Sequence, residues 1–126
     1  MARIREIVID CRHPSALARF WAGVLEGYEV RAYDAAEVER LAGLGFTPET
    51  DPTVMVDGPG PTLCFQRVEQ VPEGRSRQHL DVVGGPQEDE VARIVALGGA
   101  VRARHGDHTV MLDPEGAAFC VQDPRE

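Results

Sequence analysis

Lysine and asparagine are absent from the 126-residue sequence, so all 13 of its basic residues are arginines. A lysine Schiff base, a pyridoxal phosphate anchor and a lysine-containing phosphate loop are therefore excluded. Serine is also scarce, and neither Ser15 nor Ser76 lies in the Gly-x-Ser-x-Gly turn that carries many serine nucleophiles. These absences exclude several large classes of enzyme.

Long apolar runs are lacking too: none reaches the ~18 residues that span a bilayer, and no charged and then apolar leader precedes the first predicted strand. The cysteines Cys11, Cys64 and Cys120 are few, odd in number and widely spread, which argues against a disulfide framework. We therefore expect reduced thiols and a cytoplasmic protein. The formal net charge of −8 disfavours binding to nucleic acid or to an anionic membrane.

Two ten-residue stretches of the chain resemble each other. DGPGPTLCFQ occupies positions 57–66 and DPEGAAFCVQ occupies positions 113–122. The matching pairs are Asp57/Asp113, Gly60/Gly116, Cys64/Cys120 and Gln66/Gln122. Each stretch reads as an Asp-led turn followed by a strand, whose alternation places the cysteine and the glutamine on the face opposite the large apolar residues. Two copies of such a pattern indicate a duplicated module.

The sequence before each copy supports the duplication. Both segments have the pattern of a strand, a proline-containing turn, an amphipathic helix, a glycine stop and a second strand. Aligning the strands places Glu6 opposite His79. Glu6 and Cys64 are 58 positions apart and His79 and Cys120 are 41 apart, so the first half is 17 residues longer. An insertion at about 34–50 accounts for the difference.

We therefore predict an α+β fold in a single domain, 1–126, built from two βαβββ modules. Module 1 covers about 3–69 and module 2 about 77–123. The polar connector between them carries Arg75 and Arg77, which either hold an anionic substrate or are simply solvated. The insertion either lines a binding cleft or is a packing decoration.

Periodicity predicts the individual elements and their buried faces. Strands are expected at Ile4–Asp10, Tyr28–Tyr33 and His79–Val83, and a hairpin at Thr53–Asp57 and Thr62–Val68. The predicted helix stripes are Leu17, Phe20, Trp21 and Val24 in the first module, Val38 and Leu41 in the insertion, and Val91, Ile94 and Val95 in the second module. Gly27, Gly43 and the Gly98-Gly99 pair are the expected helix stops.

With these elements the chain resembles the vicinal oxygen chelate superfamily, which includes glyoxalase I, extradiol dioxygenases and the fosfomycin and bleomycin resistance proteins. Three sequence segments show the resemblance: ALARFWAGVL followed by Gly27-Tyr28, then RQHLDVV, and DPEGAAFCV near the end of the sequence. More narrowly, the chain is similar to small glyoxalase-like proteins. The resemblance implies curled sheets with the helices outside, two cups facing one common site, and a homodimer.

The resemblance also implies positions for a metal. Metal-dependent members place a ligand on the first and the last strand of each module, usually His, Glu or Gln, and those positions are here Glu6, Cys64, His79 and Cys120. Two thiolates in places of carboxylates would form a soft donor set suited to zinc rather than to Mg²⁺, Mn²⁺ or Fe²⁺. Cys64 and Cys120 could equally be inert buried residues. The cofactor is thus either none or a divalent metal (Zn, Mn, Fe or Ni) held by His79, Glu6 and Cys120.

Two functions remain open, together with a third class. The first is binding of a small polar organic molecule in the cup, without metal or with a degenerate metal site. Its binding residues would be Glu6, Cys64, Gln66, His79, Asp81, Cys120 and Gln122. The alternative is a metal-dependent lyase or isomerase of glyoxalase type, with His79 and Glu6 as catalytic residues. An interaction module would instead have its cup filled by side chains.

A turn near the end of the chain is a further candidate. His105, Asp107 and His108 are close enough in sequence to share a metal, although polar residues around Gly106 are also typical of an ordinary turn.

Overall fold

The computed structural model describes residues 1, 3–71, 76 and 78–124. The chain divides into two compact units, Met1–Val71 and Pro72–Glu126. Arg75 and Arg77, proposed above as anion ligands, lie outside the described residues. No helix in the described part of the chain is long and apolar enough to cross a membrane.

The first unit contains one four-stranded sheet and two helices. Its elements are β1 (Glu6–Cys11), α1 (Pro14–Val24), β2 (Glu29–Val30), α2 (Ala35–Gly43), β3 (Thr53–Asp57) and β4 (Thr62–Arg67). The strand order is β1-β4-β3-β2, with β1 parallel to β4 and the other neighbours antiparallel. The extra helix α2 lies within the insertion predicted at 34–50.

The second unit repeats this plan without the insertion. Its elements are β5 (Asp81–Val83), α3 (Gln87–Leu97), β6 (Ala100–Arg104), β7 (His108–Leu112) and β8 (Ala118–Gln122). The strand order β5-β8-β7-β6 and the parallel β5–β8 pair match those of the first unit. The predicted α+β fold with two βαβββ modules is confirmed.

The strand register confirms the alignment of the two halves. Val8 pairs with Cys64 in the first unit, and Asp81 pairs with Cys120 in the second. Glu6 and His79 therefore occupy equivalent positions, two residues before the paired residue. The duplication holds at the level of individual backbone pairs, so each residue of one sheet can be compared with a counterpart in the other.

Each unit has its own apolar core between the sheet and one helix. The α1 residues Leu17, Phe20, Trp21 and Val24 are buried as predicted, as are Val54, Val56, Leu63 and Phe65 on β3 and β4, which α1 contacts. In the second unit α3 contacts β6, β7 and β8, and the buried residues are Val91, Ile94, Met111, Phe119 and Val121. The opposite face of each sheet is free of helix contacts from α1 or α3 and carries the polar residues.

Several predicted burial positions and element ends were wrong. Val95 is 47% exposed and Val38 is 41% exposed, because each helix lays a narrower apolar stripe against its sheet than the periodicity indicated. The strands are shorter: β1 begins at Glu6, β2 spans only Glu29–Val30, and β5 begins at Asp81, which leaves His79 just before the strand.

One of the three predicted glycine stops is correct, because Gly98 caps α3, whereas α1 ends at Val24 with Leu25 as its cap and Gly27 lies in the turn that follows. Gly27 and Gly98 have φ of 73° and 115°, the left-handed conformation that glycine adopts without strain. The predicted stop at Gly43 was wrong, because Gly43 is still helical and the left-handed residue is Gly45, with φ of 86°.

Candidate functional site

The polar face of the second sheet forms a cup. Phe119 and Val121 are buried in the core beneath α3, so the alternation of β8 turns Cys120 and Gln122 to the opposite face. The backbone pairs extend this face across the sheet, from Asp81 through Cys120 to Val110. A cavity of about 580 Å³ lies there, lined by His79, Asp81, Arg102, Ala103, His105, Asp107, His108, Val110, Ala118, Phe119, Cys120 and Gln122.

Three possible metal-binding residues converge in this cavity. His79 Nε2 lies 3.1 Å from Asp81 Oδ1, and the ligand atoms of His79, Asp81 and Cys120 all lie within 4.8 Å of one another. Two of these residues, His79 and Cys120, were predicted as metal ligands; Asp81 was predicted as a binding residue only. The parallel pairing of β5 and β8 places Asp81 directly beside Cys120.

The donor set of this trio fits one kind of metal better than another. Three protein ligands with an open fourth position are typical of catalytic zinc, which accepts imidazole, carboxylate and thiolate. Tetrahedral bonds of about 2.0–2.3 Å place ligand atoms about 3.3–3.6 Å apart, so side-chain shifts of roughly 1 Å would close the trio around such an ion. A single thiolate suits Mg²⁺ or Mn²⁺ poorly, because these ions prefer oxygen ligands.

The turn between β6 and β7 adds further histidines to the same cavity. The rings of His105 and His108 stack with their centroids 4.6 Å apart, and His108 Nδ1 lies 2.7 Å from Asp107 Oδ1. The hydrogen bond with His108 lowers the pKa of Asp107 below its usual range. Within the described part of the second unit, the group that brings three ligand atoms together is the trio, and it includes none of these turn residues.

The polar face of the first sheet carries Glu6 and Cys64. Cys64 is 5% exposed. Burial, followed by a hydrogen bond with Glu6 and the charge of that carboxylate, raises the pKa of the Cys64 thiol. A protonated thiol is a poor metal ligand. Cys64 therefore differs from Cys120, its counterpart in the repeat, although both were predicted as ligand-binding residues.

Two other polar groups of the first sheet already have partners. Arg31 makes a two-pronged ion pair with Asp57, with nitrogen–oxygen distances of 2.8 and 2.9 Å. Gln66 Nε2 donates a hydrogen bond to Asp10 Oδ1 at 3.3 Å. The predicted role of Gln66 in binding a ligand stays a prediction, as does the role of Gln122 in the second cup.

The insertion lines a cavity within the first unit. This cavity of about 480 Å³ lies between α2 and the polar face of β3, with Leu41, Phe46 and Met55 among its apolar lining residues. Tyr33 donates a hydrogen bond to the buried Asp51 at 2.8 Å, and burial together with this bond raises the pKa of Tyr33. The phenol is thus a neutral hydrogen-bond donor at physiological pH.

Arg102 is a charged lining residue that sequence reasoning missed. Val101 pairs with Met111 and Ala103 pairs with Val110, so Arg102 is an extra residue, a β-bulge, between two consecutive pairs. Strict alternation from Val101 would put Arg102 on the cavity side and Ala103 on the helix side, but the bulge turns Ala103 to the cavity as well. No local sequence signal marks this bulge, because the register of a strand depends on its partner.

Two βαβββ units with matching strand order, each presenting a polar cup, define a protein of the glyoxalase and bleomycin-resistance type. The sequence profile of the Glyoxalase-like domain family matches residues 6–122. The chain therefore belongs to the glyoxalase-like domain family, as the resemblance noted above implied. A comparison with curated protein sequences finds no match.

Solved structures share the fold at low sequence identity. A glyoxalase/bleomycin resistance protein/dioxygenase family enzyme from Burkholderia phytofirmans PsJN is 14% identical with a TM-score of 0.68, over 97% of this chain and 98% of that one. The fosfomycin resistance protein FosX from Listeria monocytogenes is 11% identical with a TM-score of 0.68, over 99% and 95%. A FosX point mutant from the same organism, complexed with Mn(II) and 1S,2S-dihydroxypropylphosphonic acid, is 14% identical with a TM-score of 0.64, over 99% and 92%.

Proposed function

We propose that this glyoxalase-like protein binds a small polar organic molecule in the cup of its second unit, beside a metal site reduced to His79, Asp81 and Cys120. The observation that carries the proposal is the convergence of these three side chains on one cavity of about 580 Å³. A cavity of this size falls in the range of small-molecule sites. An interaction module with a cup filled by side chains does not fit such a cavity.

The lining residues divide into polar and apolar groups. Gln122 and Asp81 offer hydrogen-bond donors and acceptors, and the imidazole of His79 can take part in hydrogen bonds through its ring nitrogens. Val110 and Ala118 supply apolar contacts on the same sheet face. A few polar groups in a partly apolar cavity orient a small ligand through directional bonds, while the apolar contacts contribute most of the buried surface.

The alternative function is a metal-dependent lyase or isomerase of glyoxalase type, and the His79–Asp81–Cys120 trio is the observation that favours it. These residues would hold a divalent ion, of which zinc fits the donors best, and such an ion supplies Lewis-acid polarisation of a carbonyl. Under this alternative His79 is a metal ligand and a base beside the ion moves the proton; the catalytic role predicted for Glu6, which lies in the first unit, stays a prediction.

Metal analysis separates the two functions. Protein purified without chelator is analysed by mass spectrometry for Zn, Mn, Fe and Ni. Under the metal-dependent alternative we expect about one equivalent of zinc, lost in His79→Ala and Cys120→Ala. Cys64→Ala is the matched control, because it removes the equivalent thiol of the other unit and should leave the zinc in place. Binding of a small molecule to protein that holds no stoichiometric metal would instead support the first function.

The wider setting of the protein is also proposed. We take the chain to act as a homodimer in the cytoplasm. Cys11, Cys64 and Cys120 form no disulfide in the described part of the chain, which is compatible with a reducing compartment.

A further inference from the structure

Strand β6 places one positive charge in the second cup. Arg102 is the extra residue between the Val101–Met111 and Ala103–Val110 pairs, and its side chain lines the cavity with His79, Asp81 and Cys120. Arg104 pairs with the buried Thr109 and lines a surface groove along α3 instead. Alternation from Val101 puts Arg102 on the cup side, and the bulge then turns Arg104 away from the cup.

The first unit contains an arginine equivalent to Arg102, and there the positive charge has a carboxylate partner. Val30 pairs with Val56 as Val101 pairs with Met111, so Arg31 and Arg102 follow equivalent residues. Arg31 is held by the two-pronged ion pair with Asp57. Asp57 pairs with Glu29 in the first unit, and the equivalent pair in the second unit is Leu112 with Ala100. Leu112 therefore takes the place of Asp57.

Both units thus have an arginine at this position, but only the first unit has the carboxylate beside it. Among the described residues, no carboxylate lies within 4 Å of the Arg102 guanidinium, whereas Arg31, Arg40 and Arg93 each have one. Arg102 therefore differs from its counterpart Arg31 in having no carboxylate partner among the described residues. A guanidinium offers several N–H groups in a fixed plane that match the oxygens of a carboxylate or phosphonate.

We propose that Arg102 binds an anionic group, a carboxylate or a phosphonate, on the ligand of the second cup. The inference rests on the proposed function, because it specifies the chemistry of the molecule held beside His79, Asp81 and Cys120. The anionic group accepts hydrogen bonds from Arg102, as Asp57 does from Arg31 in the first unit. The remainder of the ligand then faces the polar trio.

The test uses matched pairs of charged and neutral probes on protein freed of metal by chelator, at constant ionic strength. Lactate is compared with lactamide, and methylphosphonate with dimethyl methylphosphonate, by following the ¹⁵N–¹H NMR signals of the labelled full chain. We expect lactate and methylphosphonate to shift the signals of β6 and β8 with saturating curves. Their neutral partners should bind at least about tenfold more weakly. The better carboxylate or phosphonate probe identifies which anion the cup prefers.

Two variants isolate the charge of Arg102. Arg102→Gln should weaken binding of the anionic probes by about tenfold or more, whereas Arg104→Gln removes the same charge from the other face and should leave it unchanged. Leu112→Asp restores the carboxylate of the first unit and should also abolish the preference for anions. Leu112→Asn, of similar size but uncharged, should keep that preference. Circular dichroism confirms that each variant is folded.

The outcomes distinguish this inference from the proposed function. If charged and neutral probes bind equally, and Arg102→Gln has no effect while the shifts still map to the cup, the anion assignment is wrong and the binding function stands. If none of the probes shifts any signal of the cup, both are overturned. An equal loss of binding in Arg104→Gln would also overturn the assignment, since it would indicate attraction by overall charge.

Discussion

Cys64 and Cys120 occupy equivalent positions in the two units but have different surroundings. Cys64 is 5% exposed and lies beside Glu6, and burial with that neighbour raises the pKa of its thiol. Cys120 is half-buried and lines the cavity with His79 and Asp81. The sequence predicted the equivalence of these two residues, but their difference depends on burial, which the matching repeats do not encode.

The two thiols should therefore react at different rates. At pH 7.5 we expect iodoacetamide to modify Cys120 well before Cys64, because alkylation requires an accessible thiolate and the raised pKa keeps the Cys64 thiol protonated. Peptide mass spectrometry over a time course measures each site. The rate at Cys64 should continue to rise with pH beyond the usual titration range of a thiol. Equal rates at the two sites would contradict this prediction.

The ion pair between Arg31 and Asp57 makes a prediction about acid stability. A hydrogen bond from Arg31, followed by one from Thr62, lowers the pKa of Asp57. Because the folded pKa is below the unfolded value of about 3.9, the stabilisation is complete above that pH and is lost as the pH falls through the depressed pKa.

Asp57→Asn should accordingly reduce the free energy of unfolding at pH 7, and the difference from the wild type should shrink in strong acid. The loss should not exceed about 1 kcal/mol, because the two side chains are 56% and 43% exposed. Urea unfolding at several pH values measures it. A difference that is independent of pH would show that the pair contributes through packing instead.

At the scale of elements, the insertion is the part of the first unit with no counterpart in the second. Its helix α2 begins at Asp34, whose side chain accepts a hydrogen bond from the Glu37 backbone at 2.8 Å. Leu41 is 1% exposed and lines the cavity of about 480 Å³. Of the two roles considered from the sequence, the structure favours the lining of a cavity over surface decoration.

Leu41 should be the main apolar anchor of α2. We expect Leu41→Ala to cost about 2–5 kcal/mol of unfolding free energy, because it leaves a cavity where a fully buried side chain stood. Val38→Ala is the control on the same helix; it should cost less than about 1 kcal/mol, since Val38 is 41% exposed. Chemical denaturation of the two variants compares them. Similar losses would show that α2 is not held mainly through Leu41.

The elements also show where pattern reasoning succeeds and fails. The period of apolar residues in α1 predicted Leu17, Phe20, Trp21 and Val24, because this helix packs a broad stripe on its sheet. It failed at Val95, since the buried face of α3 is narrower. It also could not reveal the bulge at Arg102, because alternation counts residues along one strand and a bulge is a mismatch between two strands.

At the scale of the whole molecule, the repeated text at 57–66 and 113–122 predicted the fold and the correspondence of Glu6 with His79. A matched turn and strand fix a register, and the register fixes which residues share a face. The site was only partly predictable. His79 and Cys120 were named from the repeat and the family pattern, but the contribution of Asp81 as a neighbour of Cys120 follows from strand pairing, which requires the three-dimensional structure.

The proposed homodimer would cover apolar side chains on the first strands of the two sheets. β1 and β5 are the first strands of their sheets, and they expose Val8 by 52% and Val83 by 61%. Exposed apolar edges are normally covered. We expect sedimentation equilibrium to give about twice the chain mass of 13.8 kDa. A mass equal to that of one chain at every concentration would contradict the proposed homodimer.

The replacement of Asp57 by Leu112 at equivalent positions has a consequence for how the two halves have diverged. In the first half the ion pair neutralises its own charges, whereas in the described part of the second half the arginine has no carboxylate partner and is available to a ligand. Tandem copies released from identical constraints can specialise in this way, one towards folding and the other towards recognition.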